Sequence, residues 1–279
     1  NLKVSKLLLD FNMNINSQTI DLRSDTVTLP STDMLEAIRS VKLGDDVFSE
    51  DPTVNSLQEK AAKIMGKEDA LLVPSGTMGN LVSILAHCNR GDEVILGDQA
   101  HTFLYEAGGI SDFGGIHSRQ IKNNDDGTID LDKIEASIRE ENVHFPPTTL
   151  ISLENTHNRC FGAALSPDYM FKVHEIAKKN NCKVHLDGAR IFNASVALDL
   201  DVKELTKDVD SLTFCLSKGL SSPVGSIICG STEFIKKARH LRKALGGGMR
   251  QAGIIAKFGE FSLNHMTNQI KKDHKNALM

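Results

Sequence analysis

Lys218 stands in the stretch Leu216-Ser217-Lys218-Gly219-Leu220, directly after an apolar run from Leu212 to Leu216. An ammonium at the end of a buried strand is costly, because desolvation favours the neutral amine, and a neutral amine is a nucleophile that captures aldehydes. A lysine whose stem carries its charge out to solvent is the ordinary alternative. Asp187, in Val184-His185-Leu186-Asp187-Gly188-Ala189-Arg190, is delivered to the end of an apolar run in the same way, with Arg190 close behind. Such a carboxylate can keep a pyridine nitrogen protonated, and the guanidinium can grip a second carboxylate with its planar fork. A helix cap with an arginine partner would use the same residues. Pro74-Ser75-Gly76-Thr77 follows Val73 and opens a helix; its small residues and free amides, at the positive end of a helix dipole, suit a phosphate as well as an ordinary cap. Each signal alone is weak. Together they supply a phosphate cradle, a ring-nitrogen carboxylate and an aldehyde-capturing lysine, the three grips that pyridoxal phosphate requires.

The elements that must position these residues alternate along the chain. Val54, Leu57, Ala61 and Ile64 fall on one helical face, opened by Asp51 and Pro52 and closed by Gly66. The spacing then predicts a strand over Ala70 to Val73, a helix over Gly79 to Cys88, a strand over Glu93 to Leu96, a helix over Leu131 to Arg139 and a strand over Thr148 to Leu153. Ser166 and Pro167 open a further helix toward Lys179, and strands follow at Lys183 to Leu186, Leu212 to Leu216 and Ser226 to Cys229. Short, continuous apolar strands separated by amphipathic helices predict an α/β fold with a mostly parallel sheet covered on both faces. Ligands of such sheets bind beyond the carboxyl ends of the strands, where Asp187 and Lys218 are expected.

Composition excludes several functions. The chain has 279 residues, 40% hydrophobic and 24% charged, enough for one large domain with or without a smaller appendage. A net charge of -4 with both signs interspersed, and no Trp, gives nucleic acid no basic stripe and few stacking platforms. No apolar stretch approaches the roughly 20 residues of a membrane span. The five cysteines, Cys88, Cys160, Cys182, Cys215 and Cys229, have no paired spacing, which favours a reducing compartment: cytoplasmic, with mitochondrial as the other option. No two histidines flank a Glu at helical metal-ligand spacing, so no metal is expected. The segment Asn1 to Thr19 is a leader or tail of unclear role, poor in arginine.

A wider set of motifs resembles the threonine aldolases, the aromatic amino acid beta-eliminating lyase/threonine aldolase family: Asp21-Leu22-Arg23-Ser24-Asp25-Thr26-Val27-Thr28, Gly44-Asp45-Asp46-Val47, Glu154-Asn155-Thr156-His157-Asn158, His185 to Arg190, and Gly246-Gly247-Gly248-Met249-Arg250-Gln251. The match runs from about Ile20 to the end. The resemblance implies the aspartate-aminotransferase-like fold (fold type I) with bound pyridoxal 5'-phosphate, a large domain over residues 20–250, and a small domain beginning over 251–279. It implies cleavage of L-threonine or L-allo-threonine to glycine and acetaldehyde, and a homodimer or homotetramer with sites near the subunit interface. By position, Lys218 matches the lysine that carries the cofactor, Asp187 the partner of the pyridine nitrogen, and Gly76 and Thr77 the phosphate cradle. His101 matches an imidazole lying against the ring and near the substrate hydroxyl, where a group titrating near working pH can act as base. Ser24 and Arg190 match the substrate-carboxylate contacts, Arg190 also lying by the cofactor, and His144 matches a second histidine near the substrate side chain.

Two departures stand out. The family continues past the equivalent of Met279 into a small carboxyl-terminal domain that supplies another arginine to the substrate carboxylate, and a missing charge-assisted contact costs on the order of 2 kcal/mol in binding. Phe48 stands where the family usually has Tyr. Lys218 and Asp187 would serve β-elimination or transamination equally well, and a short form that folds without turning over substrate, acting only as a scaffold, is a third reading.

Overall fold

A computed structural model describes residues 20–279; the leader expected over 1–19 lies outside the described residues. Seven strands form one sheet: β1 Asp69–Val73, β2 Glu93–Gly97, β3 His117–Ile121, β4 Thr148–Glu154, β5 Lys183–Asp187, β6 Ser211–Cys215 and β7 Ser226–Gly230. Their order across the sheet is β1-β7-β6-β5-β4-β2-β3. Only β7 runs against its neighbours; the contiguous pairs from β6 to β3 are parallel. The expected mostly parallel, helix-covered sheet is therefore present.

The expected strands are found within a residue or so of their predicted ends. β3 was not expected, because its sequence His-Ser-Arg-Gln-Ile has no apolar run; at the sheet edge only Ile121 needs burial. The helix Pro52–Met65 starts and stops where its residues dictate. Asp51 accepts hydrogen bonds from the amides of Thr53 and Val54, Pro52 occupies the first turn, and Gly66 takes the left-handed conformation at φ 65° that ends it. The next helix begins at Gly76 rather than Gly79, so the small-residue turn is its first turn, capped by the Ser75 hydroxyl.

Alternation along the strands gives the sheet two unlike faces. On one face Ile151, Leu153, Val184, Leu186, Leu212 and Phe214 enter the main core, with the helices Pro52–Met65 and Pro167–Lys179 packed over it. The other face is apolar only at its flanks: Val94, Leu96 and Leu150 on one side, Leu71, Val73 and Ile228 on the other. Between them the strands present Ser152, Glu154, His185, Asp187, Ser211 and Thr213, all buried. The helix Gly76–His87 lies over this polar strip.

Residues 251 onward form the helices Gly253–Phe261 and Thr267–Ala277. Ala252, Ala256, Leu263 and Ile270 join the main core, so among the described residues this expected second unit has no core of its own. Asp51 ties it down, accepting from the amide of Gly253 at 2.9 Å. No helix among the described residues is long and apolar enough to cross a membrane.

Candidate active site

The strand register places the site. Glu154 at the end of β4 pairs with Asp187 at the end of β5, which pairs with Thr213 on β6. These carboxyl ends open into a cavity of about 330 Å³ that Thr77, His101, Asp187, Arg190 and Lys218 line together. Lys218 reaches it because the chain turns just after β6, held by the amide of Ser221 donating to the Lys218 carbonyl at 2.8 Å.

Asp187 is 3% exposed. Its Oδ1 accepts from the amide of Ala189 at 3.1 Å and its Oδ2 from Asn80 at 2.8 Å. Across the cavity the helix Gly76–His87 points its amino end inward, through Ser75, Gly76 and Thr77. Its approach to β6 depends on small residues: a Cβ at Gly76 would lie 3.0 Å from the Cys215 sulfur, and one at Gly79 3.0 Å from the Thr213 methyl. The first amides of a helix have no intrahelical acceptor, so this end is suited to an anion.

His101 opens a short helix at the third side of the cavity. Its backbone amide donates to Glu154 Oε2 at 2.8 Å, and its Nδ1 lies 2.9 Å from Glu106 Oε1. The Glu106 hydrogen bond raises the imidazole pKa above its ordinary value, with Asp187 and Glu154 adding to the effect against burial. Burial in turn raises Glu106, and burial reinforced by Asp187 pushes Glu154 up to about 7. His101, Glu106 and Asp187 bring one polar atom each within 4.8 Å of one another.

Arg190 lines the cavity, but its fork is engaged: Nε and one terminal nitrogen donate to the two oxygens of Asp25 at 2.8 and 2.7 Å. The other terminal nitrogen faces Asn158 Oδ1 at 3.3 Å. Burial works against the charge of Asp25, yet Arg190 and then Lys218 outweigh it and hold its carboxyl below the usual range. Ser24 and His144 do not line the cavity. Ser24 is exposed and bonds Thr26 and Asp25, while His144 is exposed on the segment before β4, its amide bonded to Asn142. Phe48 is also exposed and away from the cavity.

Asn80, Glu106 and Glu154 line the cavity without having been assigned a role from sequence. Glu154 carried the same signal as Asp187, a carboxylate at the carboxyl end of an apolar strand. Asn80 and Glu106 carried none, since one lies within a helix and the other in a loop.

Pyridoxal phosphate fits these residues. A buried carboxylate, an amine and a helix amino end face one another around a volume within the range of small-ligand sites. A family model described as beta-eliminating lyase matches residues 21–279. The chain is 52% identical over 263 residues to low-specificity L-threonine aldolase 1 of Arabidopsis thaliana, covering 93% of this chain and 74% of that one. It is 49% identical over 258 residues to the low specificity L-threonine aldolase of Escherichia coli (strain K12), covering 92% and 77%. The chain thus spans about three quarters of the length of these relatives. It also shares its fold with the solved threonine aldolase of Leishmania major, at a TM-score of 0.80 and 18% identity over 91% of this chain and 76% of that one. With sheet order, cavity and half-identical relatives in agreement, the chain belongs to the beta-eliminating lyase family, among its low-specificity L-threonine aldolases.

Proposed function

We propose that the chain cleaves L-threonine and L-allo-threonine to glycine and acetaldehyde with pyridoxal phosphate, as a carbon-carbon lyase of amino acid metabolism. The observation that carries this reading is the convergence of Lys218, Asp187 and Thr77 on one cavity at the carboxyl end of the sheet. When bound, the cofactor supplies an electron sink for the charge left on the substrate α carbon. Lys218 is the amine that holds its aldehyde, Asp187 keeps a proton at the ring nitrogen, and Gly76 and Thr77 hold the phosphate by their amides. The Ala189 and Asn80 hydrogen bonds fix the Asp187 carboxylate for that task.

His101 takes the proton from the substrate hydroxyl as the bond between the α and β carbons opens. Glu106 orients its ring and stabilises the imidazolium that forms, so the proton stays at His101 until the product needs it. Arg190 binds the substrate carboxylate, for which its fork must leave Asp25 or share it. Ser24, whose hydroxyl lies 3.4 Å from the Asp25 oxygen that Arg190 also grips, and the exposed His144 complete the substrate contacts of this reading. A homodimer or homotetramer is supported by the exposed Leu22, Leu29 and Phe161, at 88%, 81% and 99%. A cytoplasmic location is supported by five cysteines that are all free thiols.

Product analysis tests the activity. The purified chain, reconstituted with pyridoxal phosphate and given L-threonine, should release glycine and acetaldehyde in equal amounts. Ammonia with 2-oxobutanoate would show β-elimination instead, and no turnover at all would leave a scaffold.

A further inference from the structure

Asn80 is 2% exposed and lies on the face of the helix Gly76–His87 that meets the sheet. Its amide nitrogen is 2.8 Å from Glu106 Oε1 and 2.8 Å from Asp187 Oδ2, one hydrogen for each carboxylate. Its carbonyl oxygen lies 2.6 Å from Thr213 Oγ1 and 3.3 Å from His185 Nε2. The opposite orientation would set that oxygen between two carboxylates, so the amide has only one favourable setting.

The setting is enforced from behind. With Asn80 Oδ1 as acceptor, His185 Nε2 carries the proton and Nδ1 accepts from Ser211 Oγ at 2.9 Å. Ser211 Oγ in turn accepts from His87 Nε2 at 2.7 Å. Burial pulls His185 down to about 3 and His87 down to about 4, so both rings are neutral and one hydrogen on each points along the chain. A directed line of hydrogen bonds thus runs beneath the helix from His87 to Asn80 and ends on the two carboxylates of the cavity.

We propose that Asn80 is a positioning residue that allows Asp187 and Glu106 to face one cavity as separate carboxylates, each with its own task, by donating one amide hydrogen to each. The proposal rests on reading the cavity as the pyridoxal phosphate site. Two like charges this close, out of water, otherwise share a proton. Asp187 would then lose its hold on the ring nitrogen, or Glu106 its hold on His101. The other charged groups facing this pair are His101 on the short helix, Glu154 at the end of β4, and Arg190 and Lys218 across the cavity.

The test uses Asn80→Leu, which keeps the number and branching of side-chain heavy atoms and removes both hydrogens together with the acceptor facing Thr213 and His185. In the apoenzyme, the His101 imidazole followed by NMR should titrate lower than in wild type by about one pH unit or more. Cofactor affinity should fall by about tenfold or more, and adding Glu106→Gln should restore it to within about threefold of the Glu106→Gln enzyme, because a single carboxylate has no like charge to be separated from. A His101 midpoint equal to that of wild type would overturn the proposal, as would affinity losses that simply add in the double variant. Should Asn80→Leu fail to fold, Asn80→Ser keeps one donor and should shift His101 in the same direction by less; no shift there counts against the proposal equally. The His101 titration needs no substrate, so a failure to cleave threonine would strike the activity and leave this measurement standing.

Discussion

The two faces of β4, β5 and β6 are built from alternate residues of the same strands and do opposite work. Leu186 is wholly buried in the main core, while its neighbour Asp187 is 3% exposed on a strip of carboxylates, imidazole and hydroxyls. The apolar face stabilises by area removed from water and, on these three strands, carries no carboxylate, imidazole or amine. The polar face carries an unfavourable term, since burial raises Glu154 and lowers His185, and it also raises Glu106 in the loop beside the cavity. A fold can hold such a strip because the apolar face and the two apolar flanks supply the stability that the strip does not.

That contrast can be broken first at its most sensitive point. Lys218→Ala should lower threonine cleavage by about a thousandfold or more, with a thermal unfolding curve like that of wild type; cleavage near the wild-type rate would remove the amine from the site. Adjacent substitutions in β5 come next. Leu186→Ala should cost about 2–5 kcal/mol in urea unfolding and leave turnover per folded molecule within about threefold. Asp187→Asn should lower turnover on the order of a hundredfold while unfolding free energy changes by about 1 kcal/mol or less. Equal loss of stability from both would mean that the faces are not divided in this way.

A smaller effect concerns pH. His185 is held neutral at about 3 in the folded chain, whereas an unfolded histidine takes a proton near 6.5. A base depressed by folding contributes stability that is full above 6.5 and is lost as pH falls through the folded value. Apoenzyme stability should therefore decline between pH 6.5 and 4, by up to about 3 kcal/mol from this residue. His185→Gln, which does not titrate, should flatten the decline; an unchanged slope would place the acid sensitivity elsewhere. The smallest effect belongs to Arg190→Lys, which loses the planar fork and should raise KM for threonine about tenfold with kcat little changed.

Much of the site was legible because its groups follow apolar runs. Lys218, Asp187 and Thr77 are each the first useful polar group after a strand, and strand ends are where such a sheet places its ligand. The caps of the helix Pro52–Met65 were legible for a similar reason, since Asp51, Pro52 and Gly66 act locally. The remainder depends on contacts between distant segments. Arg190 meets Asp25 only through folding, and Asn80 meets Glu106 and Asp187 only because Gly79 lets its helix approach β6. β3 has no pattern because an edge strand needs little burial. Ser24 and His144 matched motifs by position, but a motif does not say which way an exposed segment folds.

The polar strip and the turn after β6 bring one particular amine to one cofactor. Borohydride reduction of the holoenzyme, followed by proteolysis and mass spectrometry, reads this directly. A pyridoxyl phosphate group should be found fixed to the side-chain nitrogen of Lys218; a group fixed to any other lysine, or to none, would remove Lys218 from the role assigned to it.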